Sequence, residues 1–336
     1  MAERILSVLT EAERRDFFPG ARWNEVEELS DGLRQVDPAQ FDAVAWRQLL
    51  AEFRPRILLA AWGTPSLPVD VAELTGGSLE YVCYLAGSVR HLVAEELINN
   101  GLLVTNWGHS ISRTVAECGL MLAIATLRRV ADWQLRLHVE GGWAPAEIHT
   151  GSLFERRVGL HGFGAVAREL CRLLQPFDVA LSAYSGGVPS EVFASHRVRE
   201  VESLEALFQT NEVVFEVEAL TAHTRGSVNE GMLRALPEGG AFINVGRGQV
   251  VDEAALARVA AEGRVHFGLD VFEEEPLPSD SPLRGLRNVV LLPHVAGPTR
   301  DRRCDGGDLA LYNLRAFLAG HPVEARITPA VYARAT

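Results

Sequence analysis

A short apolar run, two closely spaced glycines and a helical pattern follow one another without interruption in RRVGLHGFGAVARELCRLL, residues 156–174. Gly162 permits a tight turn after a strand, Gly164 lets backbone amides approach a pyrophosphate, and Ala167 lets the helix pack closely on the sheet. The N-terminus of the helix adds a partial positive charge that attracts an anion. This order of elements predicts a dinucleotide-binding βα unit.

Further short apolar runs alternate with helical segments on both sides of this unit. Before it, LEYVCYLAGSV and LLVTNWG flank the helical segment VRHLVAEELINNG, and an earlier run covers residues 57–61. After it, we predict strands at 179–184, 212–217, 241–245, 265–269 and 289–292. Alternation of this kind is typical of parallel sheets in an α/β fold, here a doubly wound one.

Size and charge limit the class of protein. The chain has 336 residues, and 47% of them are hydrophobic. This length exceeds what a single hydrophobic core usually holds, which predicts two globular lobes. Its formal net charge is -12, its pI is near 5.4, and its arginines form no basic block. We therefore expect no nucleic acid partner.

The cysteines and the apolar segments indicate where the protein resides. Its 4 cysteines lie far apart and form no CxxC pair, as expected of reduced core thiols, so we predict neither a disulfide nor a metal site. The longest clearly apolar stretch, residues 118–127, is too short to cross a bilayer, and the first residues carry charges throughout. We expect a cytoplasmic protein that does not associate with membranes.

The segment Ser112–Val130 is apolar over most of its circumference. Such a helix is buried, and the pattern fits equally a helix between lobes or subunits and an ordinary core helix. An irregular stretch with Trp133, Trp143 and Pro145 follows, which is typical of a linker or a dimer arm.

The end of the second strand of the nucleotide unit bears on cofactor choice. An acidic residue there selects the free ribose 2′-hydroxyl of NAD, but this chain has Ser185. No arginine follows closely enough to be an obvious clamp for the 2′-phosphate of NADP. The choice between the two cofactors stays open and leans to NAD.

Three later segments each place polar side chains after a short apolar strand: AFINVGRGQVVDEAAL, GLDVFEEEP and VVLLPHVAG. The carboxyl ends of strands border the ligand crevice in a doubly wound sheet. We therefore expect Arg247, Asp270, Glu275 and His294 to converge there.

With these segments the chain resembles the D-2-hydroxyacid dehydrogenase family. The resemblance extends over most of the chain, through the AGS turn at Gly87, the VTN and VAE signals, the nucleotide turn, TRGSVN and the three segments above. It implies two Rossmann-like domains with doubly wound parallel sheets. A flavodoxin-like substrate domain would comprise residues 1–106 and 299–336, and an NAD(P)-binding domain residues 107–298.

The resemblance also implies roles for individual residues. Arg247 would bind the substrate carboxylate, His294 would be the proton donor or acceptor, and Glu275 would be its acidic partner. Asp270 would contact the nicotinamide carboxamide. Cofactor contacts are implied for Gly162, Phe163, Gly164, Ala165, Val166, Ser185, Ala219, Val245 and Gly246, and substrate contacts for Ala86, Gly87 and Ser88.

Physical chemistry agrees with the catalytic roles. A guanidinium holds a carboxylate through two parallel hydrogen bonds, which would orient the substrate. Hydride arrival at a keto carbon leaves an alkoxide that needs a proton, and an imidazolium supplies one near neutral pH. A neighbouring carboxylate stabilises that imidazolium.

One motif departs from the family pattern. The family has His-x-Pro before its TRG motif, whereas this chain has Val217 and Ala219 at those positions. Glu216 and Glu218 add negative charge there and would disfavour a 2′-phosphate if they point inward. This departure predicts altered contacts to the cofactor ribose, and the added charge is a second argument for NAD.

The sequence therefore predicts an oxidoreductase that transfers a hydride between NAD(P)H and C2 of a small 2-keto or 2-hydroxy acid, most naturally in the direction of ketoacid reduction. Two alternatives stay open: a nucleotide-sensing interaction protein like the corepressor branch, and a formate or phosphite oxidiser on the same fold. By resemblance, the enzyme is expected to be a homodimer.

Overall fold

The computed structural model describes residues 4–334, so that residues 1–3 and 335–336, which the sequence analysis assigns to the substrate domain, lie outside it. The chain divides into two compact units. The first unit contains the described residues up to Ile111 and those from Pro298 onward, and the second unit is Ser112–Gly297.

Among the described residues, twelve strands form two sheets, one in each unit. The first unit contains β1 (Arg4–Val8), β2 (Gly32–Val36), β3 (Ile57–Ala60), β4 (Tyr81–Tyr84) and β5 (Leu103–Thr105). The second unit contains β6 (Arg157–His161), β7 (Ala180–Tyr184), β8 (Arg199–Glu200), β9 (Val213–Glu216), β10 (Ala241–Asn244), β11 (His266–Leu269) and β12 (Val289–Leu291).

Helices connect the strands in both units. Those of the first unit are α1 (Glu11–Phe17), α2 (Arg22–Glu28), α3 (Ala43–Phe53), α4 (Val71–Leu74), α5 (Glu95–Asn99), α13 (Arg303–Leu318) and α14 (Pro329–Arg334). Those of the second are α6 (Ser112–Leu127), α7 (Val130–Gln134), α8 (Ala165–Leu174), α9 (Ser190–Ser195), α10 (Leu204–Thr210), α11 (Glu230–Ala235) and α12 (Glu253–Ala261).

Both sheets are parallel and doubly wound, as predicted. The first has the order β2-β1-β3-β4-β5, which is the flavodoxin-like order. The second has the order β12-β11-β10-β9-β6-β7-β8. When β6 is counted as its first strand, this is the Rossmann order 3-2-1-4-5-6 with one more strand at the edge.

Strands β1 and β3 in the interior of the first sheet carry apolar side chains on both faces because both faces of the sheet are covered there. Leu6 and Leu58 belong to one buried cluster, while their neighbours Ile5 and Ile57 belong to another on the opposite face. Alternate side chains of a strand point to opposite faces, so a sheet buried on both sides produces continuous apolar runs.

The C-terminal segment returns to the first unit through α13. Leu311 and Leu314 of this helix are buried in the same cluster as Ile5. A Cβ atom on Gly307 would lie 1.8 Å from the carbonyl oxygen of Phe17, so α13 approaches the end of α1 as closely as backbones permit.

The predicted strands after residue 178 agree with the structure within one residue at either end, but β1, β2 and the two-residue β8 are not among our predictions. The predicted helix 112–130 is too long at its end. It ends at Leu127, and Arg129 has a left-handed φ of 60° before α7 begins. Apolar periodicity continues across this break, so the pattern alone could not show where it occurs.

Helix α6 is a core helix of the second unit. A Cβ on its Gly119 would lie 3.4 Å from Val245 and 3.7 Å from Phe215, and Thr126 lies against Gly268 of β11. The buried face of α6 is therefore explained by packing within the core of the second unit. Met121 and Ile124, on the same helix, are exposed.

Acid is expected to destabilise the fold through His266. Burial lowers the pKa of this histidine to about 4, with a further contribution from the charge of Arg129, against a usual value of 6.5. The unfolded chain therefore binds the proton first as the pH falls. The stabilisation that comes from the neutral, buried His266 is complete above pH 6.5 and is lost as the pH falls from 6.5 to 4. Its loss lowers the free energy of unfolding by about 3 kcal/mol, since one pKa unit corresponds to about 1.36 kcal/mol.

Urea unfolding of the wild type and of His266→Gln between pH 7 and 4 measures this effect. The pH dependence of the free energy of unfolding should be shallower in His266→Gln. The exposed His321→Gln should retain the wild-type dependence. Equal slopes in the wild type and His266→Gln would contradict the assignment.

Candidate active site

The glycine turn joins β6 to α8 at the carboxyl end of the second sheet. Gly162 has φ of 96°, and a Cβ on it would lie 2.6 Å from Cα of Glu218, so only glycine fits there. Gly164 has open space around it and begins α8, and within the described part of the chain no side chain caps that helix. Its first amides are thus available to an anion. These features fit the pyrophosphate of a dinucleotide.

Replacing Gly162 by alanine is expected to destabilise the second unit and to weaken dinucleotide binding at least about tenfold, because the new Cβ must displace the backbone of Glu218. Strain of this kind costs about 1–3 kcal/mol. Thermal unfolding and calorimetric titration with NADH measure the two effects.

Gly164→Ala is the matched control for stability, since Gly164 has φ of -81° and no atom lies within 4 Å of its ideal Cβ. It should keep the wild-type melting temperature. A Gly162→Ala protein that is as stable as Gly164→Ala would show that the turn relaxes without cost.

The other residues predicted to contact the cofactor lie around this turn. The Phe163 ring is buried at 4.7 Å from the ring of Phe193, which leaves its backbone as the part that can meet a ligand. Ala165 is exposed and Val166 half-buried in the first turn of α8. Val245 and Gly246 follow β10, where the Val245 amide donates to the carbonyl of Glu216 at 3.3 Å.

Ser185 and Ala219 meet at a single carboxylate. The Ser185 hydroxyl donates to Oε2 of Glu218 at 2.7 Å, and the Ala219 amide donates to Oε1 at 2.8 Å. Ser185 follows β7 and Glu218 follows β9, so the structure brings together two strand ends that are separated by one strand in the sheet. Both glutamates of this loop stand out in the sequence, but the contact between Ser185 and Glu218 does not.

Glu275 and His294 form a hydrogen-bonded pair. Nδ1 of His294 lies 2.6 Å from Oε2 of Glu275, whose Oε1 accepts the amide of Phe272 at 3.0 Å. The histidine side chain is 51% exposed and the glutamate 34%, so the pair is open to a ligand. With Nδ1 occupied by the carboxylate, Nε2 is the nitrogen left for chemistry.

Asp270 fixes the loop that carries this histidine. Its carboxylate is fully buried and accepts the amides of Val295 at 2.8 Å and Ala296 at 2.9 Å, while its carbonyl accepts the amide of His294 at 2.8 Å. Burial raises the pKa of Asp270, although the two amides act in the opposite direction. His294 has a left-handed φ of 54°, which is uncommon outside glycine, and these bonds hold it there.

Arg247 follows β10 in a loop braced by Asn244. The Asn244 side chain donates to the carbonyl of Arg247 at 3.2 Å and accepts the amide of Gly246 at 3.0 Å. Burial lowers the pKa of the Arg247 guanidinium, and the charge of Glu275 opposes that effect. A guanidinium stays protonated regardless. Arg247, Glu275 and His294 thus occupy one electrostatic neighbourhood of the second unit, and Asn244 is a supporting residue that sequence reasoning missed.

A cavity of about 620 Å³ borders the pair. His294 and Glu275 line it together with the apolar side chains of Phe272, Leu277 and Leu292. A pair of polar side chains at the rim of a mostly apolar cavity is a usual arrangement for binding a small molecule.

The AGS turn lies in the first unit, directly after β4. Asn106 donates through its side chain to the carbonyl of Gly87 at 2.8 Å, and the Trp107 indole would lie 3.2 Å from a Cβ on Gly87. Ala86 is buried, whereas Gly87 and Ser88 are half-buried. Residues that follow β5 therefore hold the turn after β4 in shape.

Arg90, two residues after the AGS turn, contacts the C-terminal helix. Its guanidinium donates to the carbonyl of Tyr332 at 3.0 Å and lies 5.2 Å from the centre of that ring. These contacts give it a structural role in holding α14.

Neither metal nor membrane features occur in the described chain. Within residues 4–334, no group of three or more His, Cys, Asp or Glu side chains is arranged to hold a metal ion. Over the same residues, no helix combines the length and apolar character required to span a bilayer. All four cysteines are free thiols.

Comparison with known proteins places these features in context. Residues 120–296 match the family described as D-isomer specific 2-hydroxyacid dehydrogenase, NAD binding domain. A human glyoxylate reductase/hydroxypyruvate reductase is 30% identical over 261 residues, which is 76% of this chain and 79% of that protein. A glyoxylate reductase from Korarchaeum cryptofilum is 31% identical over 75% of this chain and 77% of its own.

A solved structure shares the fold over nearly the whole chain. The NAD-complexed D-isomer specific 2-hydroxyacid dehydrogenase from Lactobacillus delbrueckii ssp. bulgaricus aligns with a TM-score of 0.81 at 18% identity, covering 97% of this chain and 100% of that one. At this identity the likeness concerns the fold.

Proposed function

This chain belongs to the D-isomer specific 2-hydroxyacid dehydrogenase family, and we propose that it reduces small 2-keto acids with Arg247, Glu275 and His294 as its catalytic set. Family membership makes it an NAD(P)-dependent oxidoreductase that acts at C2 of a 2-keto or 2-hydroxy acid. The observation that carries the residue assignment is the 2.6 Å pair of His294 and Glu275, which lies in the same unit as the glycine turn.

In this proposal, the second unit is the cofactor domain and the first the substrate domain. When bound, the reduced nicotinamide supplies a hydride to C2 of the keto acid. Arg247 binds the substrate carboxylate and orients C2. His294 donates the proton on Nε2 to the carbonyl oxygen, so that hydride and proton together convert C=O to CH–OH. Glu275 holds Nδ1 and stabilises the imidazolium before transfer, while Asp270 keeps the histidine loop in place.

The substrate is proposed to be small, of the glyoxylate or hydroxypyruvate class, because relatives in which this chain covers more than two thirds of the length carry those names. Within the first unit, the AGS turn supports the proposal because it follows β4, and ligands bind beyond the carboxyl ends of parallel strands. Reduction is the proposed direction.

The test is NADH or NADPH oxidation at 340 nm with glyoxylate, pyruvate, hydroxypyruvate and bulkier keto acids. We expect turnover with the smallest substrates and a loss of activity in His294→Asn. Binding of the cofactor without turnover of any keto acid would overturn the proposal and favour a nucleotide-sensing role.

A homodimer is also part of the proposal. Several large apolar side chains on α6 and in the irregular stretch after it are exposed, among them Met121 (45%), Ile124 (36%), Val139 (74%) and Trp143 (80%). An interface with a second copy of the chain would cover such side chains. Light scattering should show a dimer that Val139→Glu/Trp143→Glu dissociates, whereas the equally exposed Val44→Glu/Val69→Glu in the first unit leaves it intact. A monomeric wild type would exclude the dimer.

The proposed location is the cytoplasm. The four free thiols support it, because thiols persist in a reducing compartment.

A further inference from the structure

The position that reads the adenosine ribose in a Rossmann domain is the end of the second strand, where an acidic side chain accepts the 2′-hydroxyl. In this chain the second strand is β7, and the residue that follows it is Ser185. A serine hydroxyl has no charge with which to exclude a 2′-phosphate. The sequence at this strand end therefore leaves the discrimination between NAD and NADP unexplained.

A carboxylate occupies that position nevertheless, but it comes from a different strand end. Oε2 of Glu218 accepts the hydroxyl hydrogen bond of Ser185 at 2.7 Å, which places the carboxylate directly beside the end of β7. A carboxylate offers about four acceptor sites, and the amide of Ala219 and the hydroxyl of Ser185 use one on each oxygen. Each oxygen retains an acceptor site for a ribose hydroxyl.

The backbone of Glu218 is held against the glycine turn. A Cβ on Gly162 would lie 2.6 Å from Cα of Glu218, so the two segments are in direct contact. The fully buried Glu216 accepts the Glu218 amide through Oε1 at 2.9 Å and is hydrogen-bonded through Oε2 to Nδ1 of the buried His161. Burial is the largest single influence on His161 and acts to lower its pKa, but the charge and the hydrogen bond of Glu216, together with the charge of Glu218, outweigh it and raise the pKa. This buried pair fixes the loop that presents Glu218.

The charged side chains beside Ser185 and in the loop after it are negative and would repel a phosphate. Residues 185–195, SGGVPSEVFAS, contain no arginine or lysine and one glutamate. A 2′-phosphate at this strand end would meet the Glu218 carboxylate at close range and with no cation from the loop that follows β7.

We propose that Glu218 is the ribose-recognising residue of this enzyme and makes it selective for NAD(H) over NADP(H). The inference rests on the proposed nucleotide site and deepens it. In other Rossmann domains an acidic residue at the end of the second strand accepts the ribose 2′-hydroxyl. Here Glu218, which follows β9, would accept it instead. The loop after β9, which lacks the His-x-Pro pattern of the family, thus supplies the selectivity for NAD(H) over NADP(H).

Dissociation constants for NADH and NADPH, measured by calorimetry and by quenching of tryptophan fluorescence, test the proposal without relying on turnover. The wild type should bind NADH at least about tenfold more tightly than NADPH. Glu218→Gln should weaken NADH binding by about 10- to 100-fold, the usual range for loss of hydrogen bonds to a charged group, and should tighten NADPH binding. Glu238→Gln, which removes an exposed charge just before β10 at the opposite end of the sheet, should change neither constant.

A second measurement keeps the test decisive if Glu218→Gln does not fold. In the wild type, adenosine 5′-diphosphate should displace NADH, whereas adenosine 2′,5′-diphosphate should not. Equal competition by the two fragments, or a wild type that prefers NADPH, overturns the inference but leaves the reductase function intact. If a folded Glu218→Gln protein has the same ratio of dissociation constants for NADH and NADPH as the wild type, the inference is likewise overturned and the reductase function is not. Absence of binding by either dinucleotide overturns both the inference and the proposed nucleotide site.

Discussion

Replacement of His294 by asparagine is expected to lower kcat for ketoacid reduction by about 10²- to 10⁴-fold, the range that general acid catalysis contributes. Asparagine retains a hydrogen-bonding side chain of similar size near Glu275 but cannot deliver a proton. The dissociation constant for NADH should change little, because the histidine follows β12 while the glycine turn follows β6. Steady-state kinetics at 340 nm together with calorimetric titration separate the two quantities.

His321→Asn is a suitable control, because this exposed histidine lies in the first unit after α13. It should retain wild-type kcat. If His294→Asn kept more than about a tenth of the wild-type kcat, another group would have to supply the proton. A parallel loss of NADH binding in His294→Asn would instead indicate damage to the fold of the second unit.

Replacement of Arg247 by lysine is expected to reduce kcat/KM by about 10²- to 10³-fold, although the charge is retained. Lysine is a point charge and cannot form the two parallel hydrogen bonds that align a carboxylate. Arg247 is itself only half-exposed, so water replaces the missing bond poorly. The loss should appear mainly in KM for the keto acid, with a smaller loss in kcat from misalignment of C2.

Arg258→Lys provides the comparison. Arg258 is an exposed residue of α12 whose guanidinium pairs with Glu230 at 2.8 Å, and its replacement should leave kcat/KM unchanged. An Arg247→Lys enzyme with wild-type KM would remove the arginine from substrate binding. Since NADH affinity is expected to persist in Arg247→Lys, a simultaneous loss of NADH binding would mean that the loop after β10 has collapsed.

Much of the architecture was readable from local pattern. Apolar runs of four to six residues predicted β7 and β9 to β12, because strands that are mostly buried leave a nearly continuous signal. The glycine turn was readable because its requirement is a backbone one: Gly162 needs a positive φ and has no room for a Cβ. Arg247, Glu275 and His294 were predicted as site residues because each lies in a segment that follows a strand and because these segments resemble those of the family.

Elements with weaker local signals were missed. Strand β2, GLRQV, has no fully buried residue, and β8 is two residues long, so neither produces an apolar run. The end of α6 was misplaced because apolar residues continue past Leu127, whereas the helix stops at a left-handed Arg129. Local pattern identifies elements well and their ends poorly.

The sequence by itself determined the two parallel sheets, the dinucleotide turn and the identity of the polar residues at the strand ends, because these depend on neighbours in the chain. Only the tertiary structure decided their partners. It joined Ser185 to Glu218 across 33 positions and Asp270 to Val295 across 25. The physical reason is that side chains at the ends of different strands meet only once the order of strands in the sheet is set. That order depends on contacts between distant segments, so no single segment of the sequence determines it.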